Sequence, residues 1–514
     1  MNITIRRLET KFEPDFTRVI TRFFKPQGEN RIRSIIEKIL HLSEEEAKST
    51  FRQVLMDFTQ RHRNITAVFG KHFDNVRDII KDEIGINPDE ISKQRKLLIG
   101  SYFTMEYSIE SAAFFNPSII EDPDQDNLNE GEKRIIVSFR ATGEGHISSI
   151  VFRGGIITQN NELIFRPVGK HVDIPETVQR HVYIKDQFIE RMNKFPLERR
   201  KRHSSKDDMD DFEKELSARL HDSKDVIKMV MDNLGDQFTY GELQASISRC
   251  IEENSICYIK QKAIKAINWF AHSHYEISFS LDTAISERVI FPVSYTESNG
   301  IEDARFVRFI DDDGEITYYA TYTAYSKFGI LPKFIKTKDF YNFSIAPING
   351  EFAINKGLAL FPRKIKGKYA MLSRHDGINN YVMLSDNIQV WRESNIIKEP
   401  EFPWEFIQTG NCGSPLETDK GWLVITHGVG PMRRYSLGAM LLDLEDPSRV
   451  IGHLRKPLLV PNEDEREGYV PNVIYSCGSI IHNNELIVAY AMSDYASTFS
   501  AISLDELLYT LCNN

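Results

Sequence analysis

The sequence predicts a mainly β protein with helical additions: a five-bladed β-propeller carrying an N-terminal helical region and a helical insertion after the first blade. Three observations predict it. Five segments share one plan, a polar turn, an apolar strand, then a polar residue at the strand end: EGEKRIIVSFRAT, DDDGEITYYATYTAY, KIKGKYAMLSRHD, TDKGWLVITHGVG and HNNELIVAYAMSD. Tyr322, Arg374 and His427 hold similar places in three of them, 52 and 53 residues apart, the length of a blade of four short strands. Helix-period stretches precede the first copy and separate it from the second.

The elements follow in order. Residues 1–105 read mainly as helix. Ser43 and Glu46 have capping-box spacing, and Phe51, Val54, Leu55 and Phe58 then repeat at one helical face. Residues 106–174 read as the first blade, 175–272 as the helical insertion and 273–514 as the remaining blades. Within the insertion, LERRKRHSSKDDMDDFEKELSARL swings from basic to acidic, the pattern of a solvated linker entering a helix. Thr239 and Glu242 form a second capping-box pattern, and His272 and His274 read as the entry to a strand rather than as metal ligands. Each helical region carries an apolar stripe that needs a partner. The two are expected to pack together, shaping the pocket's aglycone side or forming a homo-oligomer contact.

Bulk properties narrow the class. The chain has 514 residues, 41% apolar and 27% charged, with a net charge of −10. That balance fits a soluble globular protein and argues against a nucleic-acid surface. No apolar leader opens the chain and no run of 18 apolar residues occurs, so neither a signal peptide nor a membrane span is expected. Five scattered cysteines with no CxxC pair fit a reducing cytoplasm and no zinc site.

In a propeller, polar residues at one end of the strands converge on a central pocket. Arg140, Asp303, Arg305, Arg374, His427 and Asp494 are candidates for it. Carboxylates mixed with cations suit a ligand rich in hydroxyls, such as a sugar. Asp303, between Glu302 and Arg305, is the candidate acid, because those neighbours can hold it and tune its pKa. GEGHISS reads as a loop over the pocket, with His146 and Ser148 as hydrogen-bond partners; Trp391 and Trp404 are candidates for stacking on sugar rings, while Trp422 reads as core.

The stretches AAFFNPSII, GIEDARFVRF, YYATYTAYSKFG, NKGLALFPRKIKGKYAMLSRH, GSPLETDKGWLVITHGV, YSLGAMLLDLEDPSRVIGHLRKPLL and EGYVPNVIYSCGSI resemble glycoside hydrolase family 130. This is the family of β-mannoside phosphorylases and β-mannosidases, which are five-bladed propellers. The resemblance implies a β-mannoside oligosaccharide as substrate and Asp303 as proton donor of an inverting cleavage, acting directly or through a mannose hydroxyl. It implies that Asn116, Arg140, His146, Ser148, Glu302, Arg305, Tyr322, Arg374, His427 and Asp494 line the sugar site. In a phosphorylase, Lys356, Arg374, His427, Arg433 and Arg434 would bind phosphate, the co-substrate. No metal, other cofactor, nucleic acid or membrane is implied.

Three positions depart from the family pattern. Ala304 stands where proline is usual, Gly357 lacks a common side chain, and Glu417 stands where phosphorylases tend to have lysine. A carboxylate there disfavours phosphate. An inverting hydrolase needs a second carboxylate roughly 6.5–9.5 Å from the acid to activate water, and Glu417 or Glu467 is the candidate. The sequence therefore leans toward hydrolysis. Phosphorolysis releasing mannose 1-phosphate is the alternative, and a non-catalytic sugar-binding propeller is a second one. An arabinan-degrading propeller would carry a different carboxylate set.

Overall fold

The computed structural model describes residues 3–178, 182–190, 192, 225–253, 258–326 and 329–513. The basic-to-acidic stretch at 197–220 lies outside them. Among the described residues the chain is mainly β with helices, and five antiparallel sheets of four or more strands dominate. Each repeated segment found in the sequence is the second strand of one sheet: Lys133–Thr142, Ile316–Ser326, Tyr369–Ser373, Gly421–Val429 and Glu485–Met492. The reason is burial. A second strand is covered on both edges and both faces, so it reads as an apolar run, and Gly421–Val429 is buried at every position.

Hydrogen bonds tie each sheet to the next. Asn116 reaches Asp303 from the first to the second, and Thr321 reaches the Leu358 carbonyl beside the third. Asn380 reaches Thr409 from the third to the fourth, at 3.2 Å. Tyr435 N–H bonds the Asn472 carbonyl beside the fifth, and Ser497 reaches the Phe114 carbonyl of the first at 2.9 Å.

Two sheets borrow strands from distant sequence. Ile5–Phe12 completes the fifth sheet against Ala496–Ser503, and Asp15–Phe23 pairs with Thr104–Glu110 as a separate ribbon. Residues 5–12 and 15–23 are thus strand where helix was expected; Ile3 and Ile5 pack on one core cluster and, after the phase break at Arg6 and Arg7, Leu8 and Phe12 pack on another. Val289–Ile290 adds to the first sheet from beyond the insertion. Tyr275–Ser278 and Glu176–Val178 extend the second sheet from the insertion's two ends.

Helices between Glu29 and Tyr102 form their own core around Ile36, Phe51, Phe69 and Leu98. The Ser43–Glu46 capping box forms, as do the reciprocal Thr239–Glu242 bonds at the start of helix Tyr240–Glu253. This second helical unit buries its apolar face on the second sheet, with Phe270, Ile267 and Ile247 against Phe306 and Ile335. Among the described residues the two helical regions occupy separate apolar clusters, where packing on each other was expected. Trp391, Trp404 and Trp422 are all buried, each indole N–H donating to a backbone carbonyl; none presents a ring to a sugar. No helix among the described residues is long and apolar enough to cross a membrane.

Under the second sheet lies a sealed polar knot. The Lys333 ammonium meets Glu297 at 2.6 Å, both side chains wholly buried, and Tyr275 and Tyr322 hydroxyls donate to the same carboxylate. Burying two charges is tolerable only when each is paired and bonded. Lys333→Met should strand the Glu297 charge and cost about 3–5 kcal/mol of stability, read as a lower denaturation midpoint with the m-value unchanged. An unchanged midpoint would mean the pair is dispensable.

Candidate active site

The GIEDAR stretch begins as a strand and then breaks its register. A β-bulge falls between Glu302 and Arg305, and Asp303 sits in the left-handed region at φ 56°. The first sheet repeats the device in its own first strand, where a bulge between Phe115 and Ser118 puts Asn116 at φ 50°. Asn and Asp tolerate this conformation best among residues with a side chain. The two bulges face each other, and Asn116 Nδ2 donates to Asp303 Oδ1 at 2.5 Å.

Cations surround that carboxylate. Arg140 bonds Glu302 at 2.8 Å and stands 3.7 Å from Asp303; Lys356 also pairs with Glu302. Burial pushes the Asp303 carboxyl up, but Arg140, Lys356 and Arg305 outweigh it and hold it below the usual range. Asp494, at φ 52° in the turn between Glu485–Met492 and Ala496–Ser503, behaves oppositely. Burial, helped by the Asp303 and Glu302 charges and opposed by Arg140 and Arg433, pushes its carboxyl up to about 6. Two carboxylates in one site, driven apart in pKa, is the arrangement acid–base chemistry uses.

Arg305 is buried and reaches from the second sheet to two others. It donates to Asn411 of the fourth sheet and, at 2.6 Å, to the Tyr475 hydroxyl of the fifth. Beyond it lies a second, unpaired group. Arg374 Nη1 and His427 Nε2 are both buried without a hydrogen-bond partner. Gly410 lies against both side chains, so they are neighbours. Burial, then the Arg374 and Arg305 charges, holds the His427 imidazole well below its ordinary pKa, so it is neutral. Its Nδ1 lies 3.6 Å from the Cys412 sulfur, which leaves Nε2 to serve a ligand. Gly357, at φ 87°, fills the remaining side with no side chain; a Cβ there would stand 3.5 Å from Arg374 and 3.6 Å from Arg305. The result is a cationic recess whose two unsatisfied nitrogens are buried, a setting that suits an oxyanion.

Several sequence candidates lie elsewhere or are already committed. Glu417 is exposed and forms a bidentate pair with Arg363. It sits opposite Trp422, five positions along the strand from His427, or roughly 16 Å, so it lies toward the other end of that strand, already paired, and not beside His427. Tyr322 is buried and spends its hydroxyl on Glu297, because strand alternation turns it away from the site. Ser148 is buried under Gly300 and donates to the Ile301 carbonyl at 2.8 Å. Glu467 is exposed in the loop that follows Glu465. Lys356 is ion-paired rather than free. Arg433 is exposed at φ 53° and acts on Asp494 through its charge; Arg434 follows it, half-buried. His146 is exposed, its ring tilted against Tyr469. Sequence reasoning passed over Asn411, Cys412, Tyr469 and Tyr475. Asn411 and Tyr475 lie on first strands of their sheets, and the repeat search tracked second strands.

Two carboxylates beside a cluster of cations and unsatisfied nitrogens make a site of the chemistry that suits a polar substrate. A sequence profile described as beta-1,4-mannooligosaccharide phosphorylase, that of glycoside hydrolase family 130, matches residues 262–513. A 1,2-beta-oligomannan phosphorylase of Thermoanaerobacter sp. (strain X514) is 32% identical over 225 residues, 41% of this chain and 71% of the relative. A beta-1,2-mannobiose phosphorylase of Listeria innocua is 31% identical over 251 residues, 45% of this chain and 65% of the relative. The solved structure of the Listeria innocua beta-1,2-mannobiose phosphorylase, in complex with beta-1,2-mannobiose, aligns with a TM-score of 0.45 and 21% identity over 79% of this chain and 94% of that one. The chain belongs to glycoside hydrolase family 130 and is an enzyme of that family.

Proposed function

We propose that this enzyme is an inverting β-mannoside phosphorylase, with β-1,2-linked mannosides as substrate and inorganic phosphate as co-substrate. The observation that carries it is the buried, partnerless pair Arg374 Nη1 and His427 Nε2 beside Arg305. The lean toward hydrolysis rested on Glu417, whose pairing with Arg363 removes that ground. The names of the relatives, phosphorylases of β-1,2-mannosides among them, support the same reading. We infer that the five sheets are the blades of a propeller and that the site lies where their first strands converge.

In this reading a phosphate oxygen held by Arg374 and His427 forms a bond to the anomeric carbon. The glycosidic C–O bond breaks, its electron pair stays on the leaving oxygen, and that oxygen takes a proton from Asp303, directly or through a mannose hydroxyl. Bound phosphate would offset part of the surrounding positive charge and so raise the Asp303 carboxyl from its lowered value in the free site. The test is product analysis on β-1,2-, β-1,3- and β-1,4-mannobiose with and without phosphate. Phosphate-dependent α-mannose 1-phosphate, formed fastest from the β-1,2 isomer, is expected. Free mannose appearing at the same rate without phosphate would restore hydrolysis.

A further inference from the structure

One pair of exposed rings beside the site has no role in the chemistry above. Tyr469 is 68% exposed, and its ring lies tilted against His146, with centroids 5.6 Å apart and planes 32° from parallel. Both halves of the pair are built rather than loose. His146, at φ 59°, ends a turn in which Gly145 is also left-handed. The same turn recurs in the fourth sheet at Gly430–Arg434, where Arg433 takes the place of His146.

Segments from the start of the chain hold the pair in place. The Tyr107 hydroxyl, from the N-terminal ribbon, donates to the Glu144 carbonyl at 2.6 Å. The ribbon presses so closely on the turn that a Cβ at Gly143 would come within 2.1 Å of the Ser108 carbonyl oxygen. On the other side, buried Glu465 anchors the loop leading to Tyr469 by accepting from Arg7 at 2.9 Å and Tyr490 at 2.7 Å. Arg7 and Tyr107 both precede residue 262, where the family profile begins to match.

The pair also has a fixed place relative to the site. Gly468, next to Tyr469, lies against Ser493 and Tyr495, the residues flanking Asp494. The rings are therefore on the side of the acids, and the anion recess at Arg374 and His427 lies beyond Arg305. In an inverting displacement the nucleophile and the leaving group occupy opposite faces, so the leaving chain departs on the Asp494 side.

We infer that the His146–Tyr469 pair is a shelf for the leaving mannoside chain, gripping the unit beyond the two that flank the cleaved bond and so setting preference for chain length. Exposed aromatic faces take up the apolar C–H faces of a pyranose ring while its hydroxyls stay wet. The inference rests on the β-mannoside reading of the site. It leaves open neither the ligand class nor the direction: a third β-linked mannosyl unit, on the acid side.

The experiment compares wild type, Tyr469→Ala and His146→Ala on β-mannobiose and β-mannotriose of the linkage the enzyme prefers. It measures both kcat/KM with phosphate and affinity by calorimetric titration without it. Wild type is expected to favour the trisaccharide, and each variant to lose about tenfold on it, one ring contact's worth, while for Tyr469→Ala the disaccharide changes less than twofold. Equal losses on both lengths, or none on either, would overturn the shelf. If no mannose 1-phosphate forms from any length, the phosphorylase reading fails. The shelf then stands or falls on the titrations: a trisaccharide preference abolished by Tyr469→Ala supports it, and one that is absent or survives the variant overturns it.

Discussion

Asp303→Asn is expected to lower kcat for phosphorolysis by at least about 10²-fold, the low end for loss of a general acid. The substitution isolates the proton. Asparagine has the same outline and accepts the left-handed conformation that Asp303 holds at φ 56°, so the bulge and the Arg305 bridges should survive. Removing one negative charge from between Arg140, Lys356 and Arg305 also leaves more net positive charge in the site, so phosphate should bind no worse. The expected pattern is a collapsed kcat, a KM for phosphate that is unchanged or lower, and a denaturation midpoint close to wild type. Near wild-type turnover in a folded variant would remove Asp303 from the mechanism.

Arg374→Ala should act on the other substrate. Its partnerless Nη1 is assigned to phosphate, and a hydrogen bond to a charged group is worth about 1.5–3 kcal/mol. The KM for phosphate should therefore rise roughly 10- to 100-fold, and the KM for mannose 1-phosphate in the synthetic direction should rise with it. The KM for the mannoside should change little. Loss concentrated in mannoside affinity instead would place Arg374 in the sugar site. A variant that releases free mannose at the wild-type rate without phosphate would show that water, not phosphate, is the native nucleophile.

Much of the site was legible because it is local. Glu302, Asp303 and Arg305 fall within four positions, and their crowding at a strand start is what a functional bulge looks like in sequence. The repeat was legible too, since burial on both faces makes the second strand of every sheet an apolar run. Its phase was not. Tyr322, Arg374 and His427 occupy similar places in three repeats, yet only Arg374 and His427 reach the recess. Which face a strand residue takes depends on the register and bulges of its neighbours, and these are set between strands.

Glu417 shows the same limit more sharply. Its place at a position where phosphorylases tend to have lysine suggested a base for water, but a surface pair with Arg363 claims it at the far end of its strand. The N-terminal segment misled in the other direction. Its strands were passed over because the helices that follow dominate the first hundred residues, and because the partner of Ile5–Phe12 lies at Ala496–Ser503, across nearly the whole chain.

Short-range pattern carried the class: alternation and apolar runs for the sheets, capping boxes for the helices, and one acid–acid–arginine cluster for the chemistry. The tertiary structure alone decided which charges are free. Asn116 meets Asp303 across 187 positions and Arg305 meets Tyr475 across 170, and no local signal encodes such pairings. A charge acts as a ligand or as a structural tie according to whether another group has already taken it, and where sheets are tied to one another that group comes from elsewhere in the chain.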